Sequence, residues 1–320
     1  MMRNATLWIV LAVVAAVALL PVVADAPAMR EQVFYMMMLV ILASSVNIIM
    51  GYTGYVSFGH IVFFGLGGYV AFYLMLNHLV HFVLAALVGG GVASLVALLL
   101  GIPVLRLRGA YFALATIGIN EAMRTFVANV EPLGGSVGMF FPYETYSAYG
   151  GAGNALWYAY FAIVGVALLT IATSLLIKKS KFGLGLMAIR EDQDAAQVLG
   201  IDPARAKVIA YTVSAFFPGL AGAIFFFKNG IIEPGIAFDL VRSIEALVMV
   251  MLGGYGTVTG PIVGAVVYDR LRSFLITTPT FSNLHLFIAG LLLLLIVLFV
   301  TAGVVGWLRQ RSARLRRYLE

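Results

Sequence analysis

The sequence contains no cysteine, which excludes disulfides, thiol catalysis and thiolate metal sites. Charge is almost as scarce. Asp, Glu, Lys and Arg make up 11% of the 320 residues, against roughly 25% in an ordinary soluble domain, and the mean hydropathy is +1.02. The few histidines form no H-E-x-x-H pair and no nucleophile motif is present, so a membrane-embedded hydrolase has no constellation to work with. A P-loop is missing too, because it needs lysine directly after glycine. The five lysines, Lys178, Lys179, Lys181, Lys207 and Lys228, follow Ile, Lys, Ser, Ala and Phe. No cofactor is implied, and ATP, if used, must be bound by another chain. The net charge of +6 does not point to nucleic acid, since the basic residues sit in short segments between apolar runs.

What the sequence has in abundance is long apolar runs near the ~20 residues that a helix needs to cross a hydrocarbon core. They are continuous rather than alternating, so the spanning element is a helix and not a barrel strand. The expected fold is an all-α polytopic membrane protein, a single membrane domain over residues 1–320. About nine or ten transmembrane helices are expected, some of them glycine-broken. Spans are expected at Leu7–Ala24, Val33–Met50, Val56–Leu76, Phe82–Leu105, Ala110–Asn129, Ala155–Ile177, Lys207–Phe227 and Leu284–Trp307. Between Val241 and Arg272 there is either one long helix or two short ones broken at Gly253–Pro261. Ten spans place most Lys and Arg on one side, which makes the chain N-in and C-in under the positive-inside rule. The loop 178–206 is then cytoplasmic, and the basic tail 308–320 meets anionic lipid there. A second reading of the N-terminus is a signal peptide, since Arg3, an apolar run and Ala24-Asp-Ala26 fit that pattern; Pro27 directly after the cut fits it poorly.

The cytoplasmic loop holds one polar segment, Arg190-Glu-Asp-Gln-Asp-Ala-Ala-Gln-Val-Leu-Gly200. Its residue types predict a helix from about Leu186 to Leu199, stopped by Gly200, with Asp202-Pro203 starting the next. Ala188, Ala195, Val198 and Leu199 form a narrow apolar stripe, and Arg190, Glu191, Gln193, Asp194 and Gln197 lie mostly away from it. Two readings stand: a solvated or membrane-surface helix, and a helix that docks on a protein. The scarcity of large apolar residues favours docking.

Two glycine-rich runs interrupt apolar helices. The first holds Gly51, Thr53, Gly54, Ser57, Gly59 and His60, the second Gly253, Gly254, Gly256 and Thr257. Both place an apolar helix before a Gly-Tyr, Thr and Gly cluster, an echo expected of two related halves with the breaks along a transport path. Glu121 and Arg124 stand one turn apart inside a span. Burying either charge alone costs at least ~2.5 kcal/mol, so they are expected to pair, either as a structural ion pair or facing the path. Glu245 and Arg242 repeat that spacing. His60 is expected to be packed rather than to bind metal, and no metal set is predicted.

Asp194-Ala-Ala-x-x-x-Gly200 resembles the EAA-x-x-x-G signature of ABC importer permeases, with Asp in place of Glu. Further runs resemble the LivM-type permease of branched-chain amino acid ABC importers: Gly51-Tyr-Thr-Gly-x-x-Ser-x-Gly-His60, Leu105-Arg-Leu-Arg-Gly-Ala-Tyr-Phe-Ala113, Met187-Ala-Ile-Arg-Glu191, Gly219-Leu-Ala-Gly-Ala223 and Gly253-Gly-x-Gly-Thr-x-x-Gly-Pro-x-x-Gly-Ala265. The resemblance implies a bacterial inner-membrane permease that is not itself an enzyme. Arg190, Glu191, Asp194, Ala195, Ala196, Leu199 and Gly200 would couple it to ABC ATPase subunits. It also implies a second homologous permease, an external substrate-binding protein and branched-chain amino acids as cargo, with urea or short amides as the alternative within the family. A reading from another class, an ion-coupled carrier, needs a titratable coupling site, for which Glu121 and Glu245 are the only candidates.

Overall fold

The computed structural model describes residues 5–24 and 26–277. Twelve α-helices occur among them: α1 Ala5–Ala24, α2 Pro27–Thr53, α3 His60–His78, α4 Phe82–Val104, α5 Ala110–Ala128, α6 Ala152–Lys179, α7 Lys181–Glu191, α8 Gln193–Val198, α9 Pro203–Asn229, α10 Pro234–Ala237, α11 Leu240–Gly253 and α12 Thr259–Thr277. Local chemistry sets several of these ends. Pro27 opens α2, where its missing N–H costs nothing, and Gly54 closes it at φ 78°, a left-handed conformation that favours glycine. The Asp202 carboxylate caps α9 by accepting from Arg205 N, with Pro203 at the first helical position.

α2 forms the centre. From Val33 to Thr53 almost every side chain is buried, so the helix is apolar on all sides and packs on α6, α9, α11 and α12. α3, α4 and α9 form a second tight group that small residues hold together: a Cβ at Gly67 would overlap the Gly219 backbone, and one at Gly222 the Phe64 carbonyl. Lipid offers no hydrophobic drive between helices, and close backbone approach of this kind is what replaces it. The outward residues of α4 and α6 are large and apolar, among them Leu84, Leu87, Leu95, Leu99, Phe161, Leu169 and Leu176. Among the described residues five helices, α2, α3, α4, α6 and α9, are long and apolar enough to cross a membrane. This is an all-α membrane protein.

The expected segments from Leu7 to Phe227 fall on α1 to α6 and α9, and the segment from Val241 to Arg272 divides into α11 and α12. The segment Leu284–Trp307 and the tail 308–320 lie outside the described residues. One expectation needs correction: the helix Leu186–Leu199 is two helices. Asp192, with extended backbone, breaks the chain and caps α8 by accepting from Asp194 N at 2.9 Å and Ala195 N at 3.0 Å. An aspartate whose carboxylate reaches the next free N–H groups competes with helix continuation, and here it wins.

The chain between α5 and α6, which the sequence left without a structure, folds over one end of the bundle. Two-residue strands β1 Met139–Phe140 and β2 Ile231–Ile232 pair antiparallel, Met139 opposite Ile232. Tyr146 donates to Phe227 O at 2.8 Å, and Phe82 N donates to the Tyr149 hydroxyl at 2.8 Å. Lys228 and Glu31 form an ion pair at this same end. α7 and α8 occupy the opposite end.

Candidate functional site

At the α7–α8 end the two glycine runs, some 200 positions apart in sequence, lie side by side. α2 stops at Thr53 and the chain resumes as α3 at His60; α11 stops at Gly253 and resumes as α12 at Thr259. A buried asparagine joins them. Asn47 donates from Nδ2 to Thr257 O at 2.9 Å and accepts at Oδ1 from Gly256 N at 2.9 Å. Gly51 makes room for this, since a Cβ there would meet Gly256 N at 2.6 Å. Thr257 folds its own turn, donating to Gly254 O at 2.8 Å and accepting from Gly260 N at 2.9 Å, while Gly256 takes a left-handed φ of 73°. In the first run Thr53 donates to Ile49 O at 2.6 Å, and Gly59 N donates to Ser57 Oγ at 3.3 Å. Backbone groups of both turns are thus met by partners inside the protein.

Arg190 ties α7 to this junction. Its Nη1 donates to Gly51 O at 2.9 Å, its Nη2 pairs with Glu191 at 2.8 Å, and the guanidinium lies 5.7 Å from the centre of the Tyr255 ring. A single side chain of α7 therefore touches both glycine runs. Arg190 is partly buried against its own chain, whereas Glu191 is exposed. A second tie comes from Lys207, buried at 2% exposure, whose Nζ donates to Leu105 O at 2.9 Å, the Tyr55 hydroxyl at 2.8 Å and Gln193 Oε1 at 3.1 Å. Three acceptors offset the removal of an ammonium from water. Asn47, Tyr55 and Lys207 escaped the sequence reading; a polar residue in an otherwise apolar helix was the available signal for Asn47 alone.

Of the remaining coupling candidates, Asp194, Ala195, Leu199 and Gly200 are exposed, with Leu199 79% and Val198 88% accessible. Ala196 is not available for docking. It is buried at 1% within its own chain, on the inward face of α8. Asp194 takes a bidentate hydrogen bond from Arg108, at 2.9 and 3.2 Å. That hydrogen bond and the charge behind it hold the Asp194 carboxyl below its usual range and raise the Arg108 guanidinium. Gly200 has φ 86°, and a Cβ there would have nothing within 4 Å, so it turns the chain at an open tip.

His60 is buried between the Phe63 and Tyr211 rings and reaches Ser214 Oγ at 3.1 Å. No group of three His, Asp or Glu able to hold a metal occurs among the described residues. Glu121 and Arg124 lie 3.6 Å apart on α5, both largely exposed. Glu245 pairs with Arg272 at 3.6 Å and accepts from the Tyr268 hydroxyl at 2.9 Å, so Arg242 is not its partner.

The family model for the permease component of the branched-chain amino acid transport system matches residues 29–297. The high-affinity branched-chain amino acid transport system permease protein LivM of Salmonella typhimurium is 30% identical over 286 residues, 82% of this chain and 66% of that protein; the LivM protein of Escherichia coli matches to the same extent. The autoinducer 2 import system permease protein LsrC of Yersinia enterocolitica is 30% identical over 158 residues, 48% of this chain and 43% of its own. The chain spans just under two thirds of the length of these LivM relatives. No solved structure matches. With the matched region running from the start of α2 past the end of α12, the chain belongs to the family of branched-chain amino acid transport system permease components.

Proposed function

We propose that this chain is the membrane-spanning permease subunit of an ATP-driven importer in the bacterial inner membrane, oriented N-in and C-in, with branched-chain amino acids as cargo. ABC ATPase subunits dock on the α7–α8 turn, a second homologous permease completes the path, and an external binding protein delivers the substrate. The observation that carries this reading is the Arg190 bond to Gly51 O: the exposed tip Val198-Leu199-Gly200 is linked through α7 to the point where both glycine runs meet. Closure of the ATPases would move the α7–α8 turn, and Arg190 and Lys207 would transmit that movement to the broken segments. Charge-assisted hydrogen bonds worth about 1.5–3 kcal/mol each are strong enough to carry the coupling and weak enough to exchange within a cycle.

Cargo identity follows from competition. Proteoliposomes holding this chain, its ATPases, the second permease and the binding protein are loaded with ATP and offered labelled isoleucine against excess leucine, valine, urea or acetamide. Leucine and valine should compete and the neutral amides should not. Accumulation of urea or acetamide in place of isoleucine would move the cargo to the amide branch of the family.

A further inference from the structure

α5 differs from its neighbours in what it turns outward. The exposed positions of α4 are all apolar, as a lipid-facing surface requires. α5 buries Phe112, Thr116, Asn120 and Val127 and anchors that stripe through the bond from Asn120 Nδ2 to Phe238 O at 3.0 Å. Its other side presents Gly118, Glu121, Ala122, Arg124 and Thr125, between Leu114 and Phe126. At 1.5 Å per residue, Glu121 stands about 10 Å inside the nearer end of the helix, at hydrocarbon depth. α5 nonetheless runs the full height of the bundle, because Arg108 before it pairs with Asp194 at one end and β1 after it pairs with β2 at the other. It is absent from the helices apolar enough to cross a membrane on composition. Ionisable residues at this depth face a bundle interior or a water-filled cavity, not lipid. The last apolar stretch, Leu286–Val305, holds no charged residue that could complement the pair.

We propose that Glu121 and Arg124 form a transient site for a zwitterionic α-amino acid on a water-filled path along α5. The substrate ammonium meets the Glu121 carboxylate, and its carboxylate meets the Arg124 guanidinium in the planar two-point geometry that arginine offers. The 3.6 Å separation is loose for an ion pair, so the two groups can exchange each other for the opposite ends of one substrate and leave no charge uncompensated. Gly118, one turn along the same face, has nothing within 4 Å of a Cβ position and leaves space for an aliphatic side chain. The proposal rests on the reading of this chain as an amino acid permease.

Because the chain lacks cysteine, a single introduced thiol reports one position. Gly118→Cys, with Thr125→Cys as a second reporter should the first fail to assemble, is labelled in the whole importer with a charged, membrane-impermeant methanethiosulfonate, and Leu95→Cys on α4 serves as the lipid-facing control. Gly118→Cys should react and Leu95→Cys should not. Isoleucine at ten times its half-saturating level should slow the reaction about tenfold. That protection should vanish when Glu121→Gln or Arg124→Gln is added. An unreactive Gly118→Cys and Thr125→Cys, or labelling that isoleucine leaves unchanged in a complex that imports isoleucine, overturns the site while leaving the permease reading intact. Protection by urea in a complex that imports urea and not isoleucine overturns both.

Discussion

At the scale of single residues, polar groups held in place by the apolar helices tie the two glycine runs together. Asn47 satisfies a donor and an acceptor of the second glycine run, so Asn47→Leu orphans Gly256 N and Thr257 O together. Each buried orphan costs about 1–3 kcal/mol. The variant should melt at clearly lower temperature in detergent than the parent, and an unchanged melting temperature would show that the junction is not held this way. Asp194 gives a prediction of opposite character. Its carboxyl is held low by Arg108, so the paired form contributes above the pKa of a free aspartate, near 4, and is lost only as pH falls through the still lower folded value. ATP-driven uptake between about pH 5 and 8 should therefore show no titration step from this pair. The pH profiles of the parent and Asp194→Asn should keep the same shape over that range; a step that disappears in the variant would contradict the assignment.

At the scale of elements, the α7–α8 turn shows what was legible in the sequence and what was not. Gly200 as a stop and Asp202-Pro203 as a start were readable, because each depends on backbone preferences of one or two residues. The break at Asp192 was not, since a carboxylate that fits a helix by propensity fits a cap equally well, and only the surrounding fold decides. After that break Ala196, which the resemblance had placed among the coupling residues, is buried within its own chain. Two substitutions separate the faces. Ala196→Arg puts a charge into a buried position and should prevent stable assembly, whereas Leu199→Arg, on an exposed residue, should leave the melting temperature unchanged and abolish co-purification of the ATPase. Gly200→Ala forces a Cβ into a left-handed conformation at a cost of about 1–2 kcal/mol, and partial loss of uptake is expected.

At the scale of the whole molecule, long continuous apolar runs made the all-helical membrane class readable, and the Gly-Tyr, Thr and Gly clusters at 51–54 and 254–257 raised the expectation of two related halves. Their contact through Asn47 and Arg190 could not be read, because a pairing across some 200 residues leaves no local trace. The same holds for the charged face of α5: spacing announced that Glu121 and Arg124 pair, but not which way the pair points. The molecule that results has an exposed turn at one end, two glycine-rich connections behind it and Arg190 bridging them. The central claim is that ATP hydrolysis, acting through this turn, drives import. The most direct test is uptake of labelled isoleucine into proteoliposomes of the assembled importer, with ATP inside and no ion gradient, comparing the parent with Leu199→Arg. ATP-dependent accumulation is expected in the parent and none in the variant. Uptake that follows a proton or sodium gradient without ATP, and that Leu199→Arg leaves intact, would contradict it.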